Sequence, residues 1–135
     1  MPEKETLQRA RRDKRQGKAP TTQAGEFVRE EIHHVREGKH GARSTKQAIA
    51  IGLSKARRAG VDLPPPTKGK KSTRQSAASA YRAGQHGQRK TSPRRARAVR
   101  RALKREPRRT LSRTALARQA RTAARRRKTP ARRAA

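Results

Sequence analysis

Only fourteen Leu, Ile, Val and Phe residues stand in the 135 positions of this chain, and nine of them fall between Phe27 and Leu63. That is about a tenth of the sequence, where less than about a fifth together with a high net charge marks chains that cannot bury enough apolar surface to fold alone. One small core near residues 27 to 63 is therefore the most the sequence can build. Everything outside it must be held by helix propensity, by charge pairing or by a partner. Forty Lys and Arg against nine Asp and Glu leave +31, and self-repulsion on that scale disfavours a compact isolated state. A polyanionic partner is implied.

The charge is uneven. Residues 1–62 carry 15 basic and 8 acidic groups, whereas 63–135 carry 25 basic groups and one acidic group, Glu106. Four segments follow from this shift: a labile basic N-terminal helix in 1–21, a helical hairpin in 22–63, a Pro/Lys linker in 64–71 and an Arg-rich tail in 72–135. The triple proline at 64–66 followed by Thr-Lys-Gly-Lys-Lys reads as a stiff, then flexible connection.

Within 3–16, Glu5/Arg9 and Arg9/Asp13 are spaced i,i+4, but only Leu7 and Ala10 offer an anchor, so this helix is expected to order mainly on binding. In the next helix, capped by Thr21 or Thr22 and stopped by Gly38, Ala24, Phe27, Val28, Ile32 and Val35 share one side at 100° per residue. Glu31 falls inside that apolar arc and needs a basic partner or a place at its rim. The opposite side carries an acidic ridge, Glu26, Glu30 and Glu37, which is expected to face away from phosphate or towards the basic tail. Ser44 and Gln47 form a capping box for a second helix ending at Gly60. Its apolar side, Ala48, Ile49, Gly52, Leu53, Ala56 and Ala59, is small enough for close approach, and the connector 38–43 is short enough for an antiparallel hairpin.

Beyond the linker, Ser72-Thr-Arg-Gln echoes Ser44-Thr-Lys-Gln, and Gly84-Gln-His-Gly echoes Gly38-Lys-His-Gly, which suggests a second helix, link, helix unit over 72–106. Ser92 as N-cap and Pro93 at the first helical position open a helix ending before Pro107, with Ala96, Val99, Ala102 and Leu103 as a narrow apolar stripe. A last helix is expected from Ser112 to about Lys128. Both are Ala/Arg helices whose crowded charges oppose folding until phosphates neutralise them.

Such helices laid along a groove present Arg to phosphates on both flanks, and Arg outnumbers Lys 28 to 12, favouring bidentate phosphate contacts. The candidate nucleic-acid-binding residues are Arg94, Arg95, Arg97, Arg101, Lys104, Arg118, Arg121, Arg125, Arg126 and Arg127 in the tail. The polar side of the 44–59 helix adds Lys46, Arg57 and Arg58, in a helix-turn-helix manner. Ser92-Pro93-Arg94-Arg95 resembles the SP[KR][KR] repeats of histone tails, here present once.

The stretch from Gly25-Glu-Phe-Val-Arg-Glu-Glu-Ile through Gly38-Lys-His-Gly-Ala-Arg-Ser-Thr-Lys-Gln to Ala59-Gly60 resembles a family of small basic bacterial proteins catalogued as a domain of unknown function. The resemblance implies a bacterial source and brings no catalytic residues. By composition alone the tail resembles those of bacterial histone-H1-like proteins, from which it departs in preferring Arg and lacking tandem Ala-Lys repeats.

His33, His34, His40 and His86 beside Glu30, Glu31 and Glu37 raise a metal or acid/base site. HExxH and a Gly-rich phosphate loop are both missing, and the chain is too short for a sheltered pocket. These read as surface or linker histidines. No catalytic, metal or cofactor-binding residue and no small-molecule substrate is expected. Cysteine is absent, and no stretch approaches a membrane span. The sequence thus predicts an all-α, non-enzymatic protein: a short hairpin plus extended Ala/Arg-rich helices, the tail largely disordered when unbound. It is expected to bind nucleic acid, DNA favoured over RNA, as a nucleoid-associated or histone-like cytoplasmic accessory. A ribosome-associated RNA-binding protein is the first alternative. A protein-docking module, self-associating at the hairpin or lying on a membrane surface, is the second.

Overall fold

The structure, a computed structural model, describes residues 2–87 and 92–134. It is all helical, with α1 Lys4–Arg15, α2 Pro20–Arg36, α3 Thr45–Arg58, α4 Lys71–His86, α5 Pro93–Lys104 and α6 Arg113–Ala134, and a 3-10 turn at Arg109–Leu111 before α6. No strand occurs among the described residues.

The hairpin expected from the sequence is the centre of the molecule: α2 and α3 form the most extensive helix pair. At their crossing a Cβ added to Gly52 would stand 2.7 Å from the Val28 Cα, closer than packed atoms approach, so the small side of α3 is what admits α2. Phe27 and Ala24 of α2 meet Ala56 of α3, Val61 beyond it, and Ala10 of α1 in the main core, with Leu7, Leu53 and Leu63 packed around it. Leu7 and Ala10 do anchor α1, but on α2 of the same chain. The acidic ridge supplies the rest: Arg9 pairs with Glu26 at 3.1 Å, while the Thr6 hydroxyl and the Glu3 backbone N–H donate to Glu30. Two of the ridge's three carboxylates thus face the N-terminal helix, and Glu37 pairs with Lys39 at 3.5 Å. None of the three turns to the tail.

Boundaries follow local chemistry with one shift. α2 begins at Pro20, with Ala19 as N-cap and no side-chain cap, not at Thr21 or Thr22, because the fixed φ of Pro suits the first helical position. Its end is as expected. Gly38, at φ +81°, donates to Val35 O while Lys39 donates to His34 O, closing the last turn. Ser44 accepts from the Gln47 N–H at 3.0 Å and Ser92 from the Arg95 N–H at 3.2 Å.

The segment after the linker departs most from expectation. α4 packs along α3, burying Ala77 and Ala80, and a Cβ on Gly84 would overlap the Arg57 carbonyl oxygen. α4 therefore belongs to the bundle and not to a tail. The suggested echo fails with it. Gly84 lies inside α4, whereas Gly38 follows α2 with positive φ, and Ser72 is not the cap, that position being Lys70. The helices form a serial bundle, α1 on α2, α2 on α3, α3 on α4.

Leu111 is the second anchor. It is fully buried with Val35, Ala42 and Ala48, flanked by Ile32 and Leu116, and brings the chain back to the α2–α3 loop after α5. The returning segment is bonded along its length, with Gly41 N–H to Leu103 O at 2.8 Å, Ala42 N–H to Pro107 O at 2.9 Å and the Thr110 hydroxyl to Ala42 O at 2.9 Å. Any side chain at Gly41 would collide with the Glu106 carbonyl.

Candidate nucleic-acid interface

α5 is capped at its start, tied to the bundle at its last turn and bare along its sides. Ser92 and Pro93 start it, its last turn is tied to Gly41, no residue of it is buried, and among the described residues it packs on no other helix. Arg94, Arg95, Arg97, Arg100, Arg101 and Lys104 are all exposed. At 100° per residue, five of the six, all but Arg95, fall on an arc of about 120° along a helix about 18 Å long. Ala96, Val99 and Leu103 take the opposite side, and Val99 is 52 % exposed. Neither α5 nor α6 contains an Asp or Glu.

α6 starts at Ser112, whose hydroxyl oxygen accepts from the Ala115 N–H at 3.1 Å. It rests on α3 through its first turns and then extends beyond, to Ala134. Arg118, Arg121, Arg125, Arg126 and Arg127 are exposed along it.

Between α3 and α6 lies an open cleft into which the N-terminal ends of both helices run, lined by Arg43, Ser44, Thr45, Arg109, Ser112 and Arg118 among others. Helix N-termini carry partial positive charge and surplus N–H donors. Three guanidiniums add to that field. The Arg108 guanidinium secures this arrangement from behind, donating to Val35 O at 3.1 Å and to Arg36 O, while Arg36 donates to Leu111 O at 3.3 Å. Arg108 therefore caps the C-terminal end of α2, a place where a cation is favoured.

The expected surface on α3 does not form. Arg57 is buried, 8 % exposed, with its guanidinium donating to Leu63 O at 2.9 Å and Pro64 O at 3.3 Å. Burial pushes its pKa down from the usual guanidinium value. Arg57 pins the start of the proline linker, while Gly84 of α4 packs against its backbone carbonyl, so its guanidinium is withdrawn from the face it was expected to share with Lys46 and Arg58. Lys46 remains exposed near the α3–α6 cleft and Arg58 is exposed at the far end of α3, about 18 Å away along the axis. A helix-turn-helix reading therefore loses its central residue to the carbonyls of the linker. Conversely, Arg43 and Arg109 belong to the cleft and were not among the sequence candidates. Arg43 precedes the Ser44 cap and Arg109 the Ser112 cap by a few residues, which is the one local signal that marks them.

The geometry defines a class: a small helical bundle carrying two acid-free arginine helices and a cationic cleft. Residues 11–71, from α1 to the end of the linker, match a protein family described as a family of unknown function, DUF6496. This agrees with the resemblance seen in the segment 25–60. No curated protein and no solved structure matches the chain. Among the described residues no helix is long and apolar enough to cross a membrane.

Proposed function

We propose that the protein is a non-enzymatic binder of duplex nucleic acid, DNA before RNA, acting as a nucleoid-associated or histone-like accessory. The observation that carries the reading is α5: six exposed cations, no acid and no buried residue on a helix capped at its start and tied to the bundle at its last turn. A helix held in this way and left without an apolar partner has phosphate as its natural neighbour. Its cationic arc matches a groove flanked by two phosphate rows, and the capped ends reduce the ordering cost on binding. The α3–α6 cleft adds a site for one phosphate of the same duplex. With few side chains placed to read base edges, binding is governed by backbone contacts and counterion release, with weak sequence preference.

Deleting everything after the linker is a poor test, because it also strips α4 and Leu111 from the bundle. The cleaner variant replaces Arg94, Arg95, Arg97, Arg100 and Arg101 with Gln, which has good helix propensity. Duplex binding is then measured from low to moderate salt. The log-log slope of affinity against salt should become less negative by up to about 4.5, near 0.9 for each lost phosphate contact. A slope equal to that of the wild type removes α5 from the interface and the proposal with it. Structured RNA as competitor decides the polymer: DNA should be retained at equal nucleotide concentration.

A further inference from the structure

We propose that Glu31, His34 and His40 form a binding site for one divalent transition-metal ion of the zinc class. The site borders the arginine surface, since His40 lines one cavity with Lys104 and Arg108, but it shares no ligand with that surface and does not depend on nucleic-acid binding.

Glu31 sits on the apolar side of α2 and is 1 % exposed. One of its oxygens takes the Lys55 ammonium. The other, Oε2, makes no hydrogen bond and lies 3.3 Å from His40 Nε2. The other nitrogen of that ring, Nδ1, is 2.8 Å from the Gly41 carbonyl oxygen, which can only accept, so Nδ1 carries the proton. In the neutral ring the Nε2 lone pair then points at a carboxylate oxygen with nothing between them. Two lone pairs facing each other in a buried place repel, and either a proton on Nε2 or a metal ion between the two atoms relieves the contact. An N–H donated to a backbone carbonyl is also the device that fixes the tautomer and orientation of a metal-binding histidine.

His34, one turn along α2 from Glu31, packs its ring edge-on to His40 with centroids 6.1 Å apart. One ligand atom from each of Glu31, His34 and His40 lies within 4.8 Å of the others. Bonds of about 2.0 to 2.2 Å to zinc place tetrahedral ligands about 3.4 Å apart. The His40–Glu31 pair already has that spacing, and the ligand atom of His34 stands within 4.8 Å of both without leaving Glu3. Behind His34, Glu3 lies 3.0 Å from Nε2, the carboxylate–histidine pairing that supports a ligand ring. Two imidazoles and one carboxylate with an open fourth position suit zinc, or cobalt in its place. Two of the ligands are on α2 and the third is in the 38–43 loop, so the ion would tie the hairpin shut beside the segment that Leu111 anchors.

Lys55 gives the inference a distinctive signature. Its ammonium competes with a dication for Glu31, so removing that charge must strengthen metal binding, as no merely structural role would. The full-length chain is titrated with zinc by calorimetry and with cobalt by visible absorption. One equivalent should bind and give the absorption of four-coordinate cobalt. His34→Gln and His40→Gln should each weaken binding at least about tenfold, His33→Gln should leave it unchanged, and Lys55→Met should tighten it about tenfold or more. Zinc at about 100 times its Kd should raise the unfolding midpoint by about 5 °C or more. The proposal is overturned by the absence of a cobalt spectrum in the wild type, or by binding that His40→Gln leaves intact. It is equally overturned if ring-nitrogen NMR shows His40 doubly protonated at neutral pH and unaffected by zinc. Glu31→Gln leaves Lys55 facing a neutral amide and is expected to lower stability, so the histidine variants, whose side chains are 13 % and 14 % exposed and not in the core, carry the test.

Discussion

Tyr81 is the one tyrosine of a chain without tryptophan, and its hydroxyl donates to Asp62. That bond joins α4 to the residues that follow α3, so the ionisation of a single chromophore reports whether α4 is docked. The hydrogen bond to Asp62 raises the Tyr81 pKa above its usual value near 10, with burial and the negative charge of Asp62 acting in the same direction. A raised folded pKa means that the protonated form is favoured by folding. The contribution is complete below the unfolded value and is lost as pH rises through the folded one. Absorbance of the tyrosinate should therefore titrate with a midpoint above 10, and Asp62→Asn should bring it back towards the free value. A wild-type midpoint at the free value would mean that α4 is not seated on α3. Arg57 teaches a related lesson in the same region. A guanidinium in a sequence full of them looks like one more phosphate ligand, yet this one spends its donors on two carbonyls of its own chain, and only the position of α4 distinguishes it from its neighbours.

At the scale of elements, what could be read from the residues was whatever is decided locally. The stripe of α2, the small side of α3, the capping serines and the Pro at the start of α5 each act within a few residues, and each appears in the fold. The demand that Glu31 find a base was also legible, and Lys55 meets it. What could not be read depends on contacts distant in sequence and made by unremarkable residues. α4 docks through Ala77, Ala80 and Gly84, a helically spaced stripe with no large apolar residue to mark it, and Leu111 looks like a stray leucine between two arginine helices. Yet Leu111 closes the second core against Val35, Ala42 and Ala48. Truncating a fully buried leucine costs about 2 to 5 kcal/mol, through lost transfer energy and the cavity left behind. Leu111→Ala should accordingly lower the unfolding midpoint by about 6 °C or more. It should also free the N-terminal end of α6 from the bundle, seen as faster amide exchange from residue 41 to residue 48. Val99→Ala, on the bare side of α5, should change the midpoint by less than about 1 °C in the same measurement. Comparable losses from the two variants would contradict the anchoring role of Leu111.

Across the whole molecule the acids are almost entirely committed inside the bundle: Glu3 to His34 and Lys39, Glu5 and Glu26 to Arg9, Asp13 to Lys18, Glu31 to Lys55, Glu37 to Lys39, Glu30 to the first turn of α1 and Asp62 to Tyr81. The acids thus meet particular cations within the bundle, whose residues 2–87 still hold 20 basic groups against 8 acidic, and the excess of +31 is carried by cations that have few carboxylates to meet. Two electrostatic terms then respond to salt in opposite directions. Short ion pairs at contact distance are weakened modestly by added salt. Repulsion among many like charges, spread over distances comparable to the screening length, is relieved much more, because that length falls from about 30 Å at 0.01 M to about 10 Å at 0.1 M. With so large an imbalance the second term wins, and the unfolding midpoint of the free protein should rise by about 5 °C or more between those two concentrations, further with sulfate or phosphate than with chloride. A bound duplex replaces the salt, since its phosphates neutralise the same arginines. It should stabilise most at the lowest salt, and the benefit should shrink as salt weakens binding. The free and bound midpoints should therefore converge as salt is raised. A free protein whose midpoint falls with salt would place the local ion pairs, rather than the uncompensated arginines, in control of the fold.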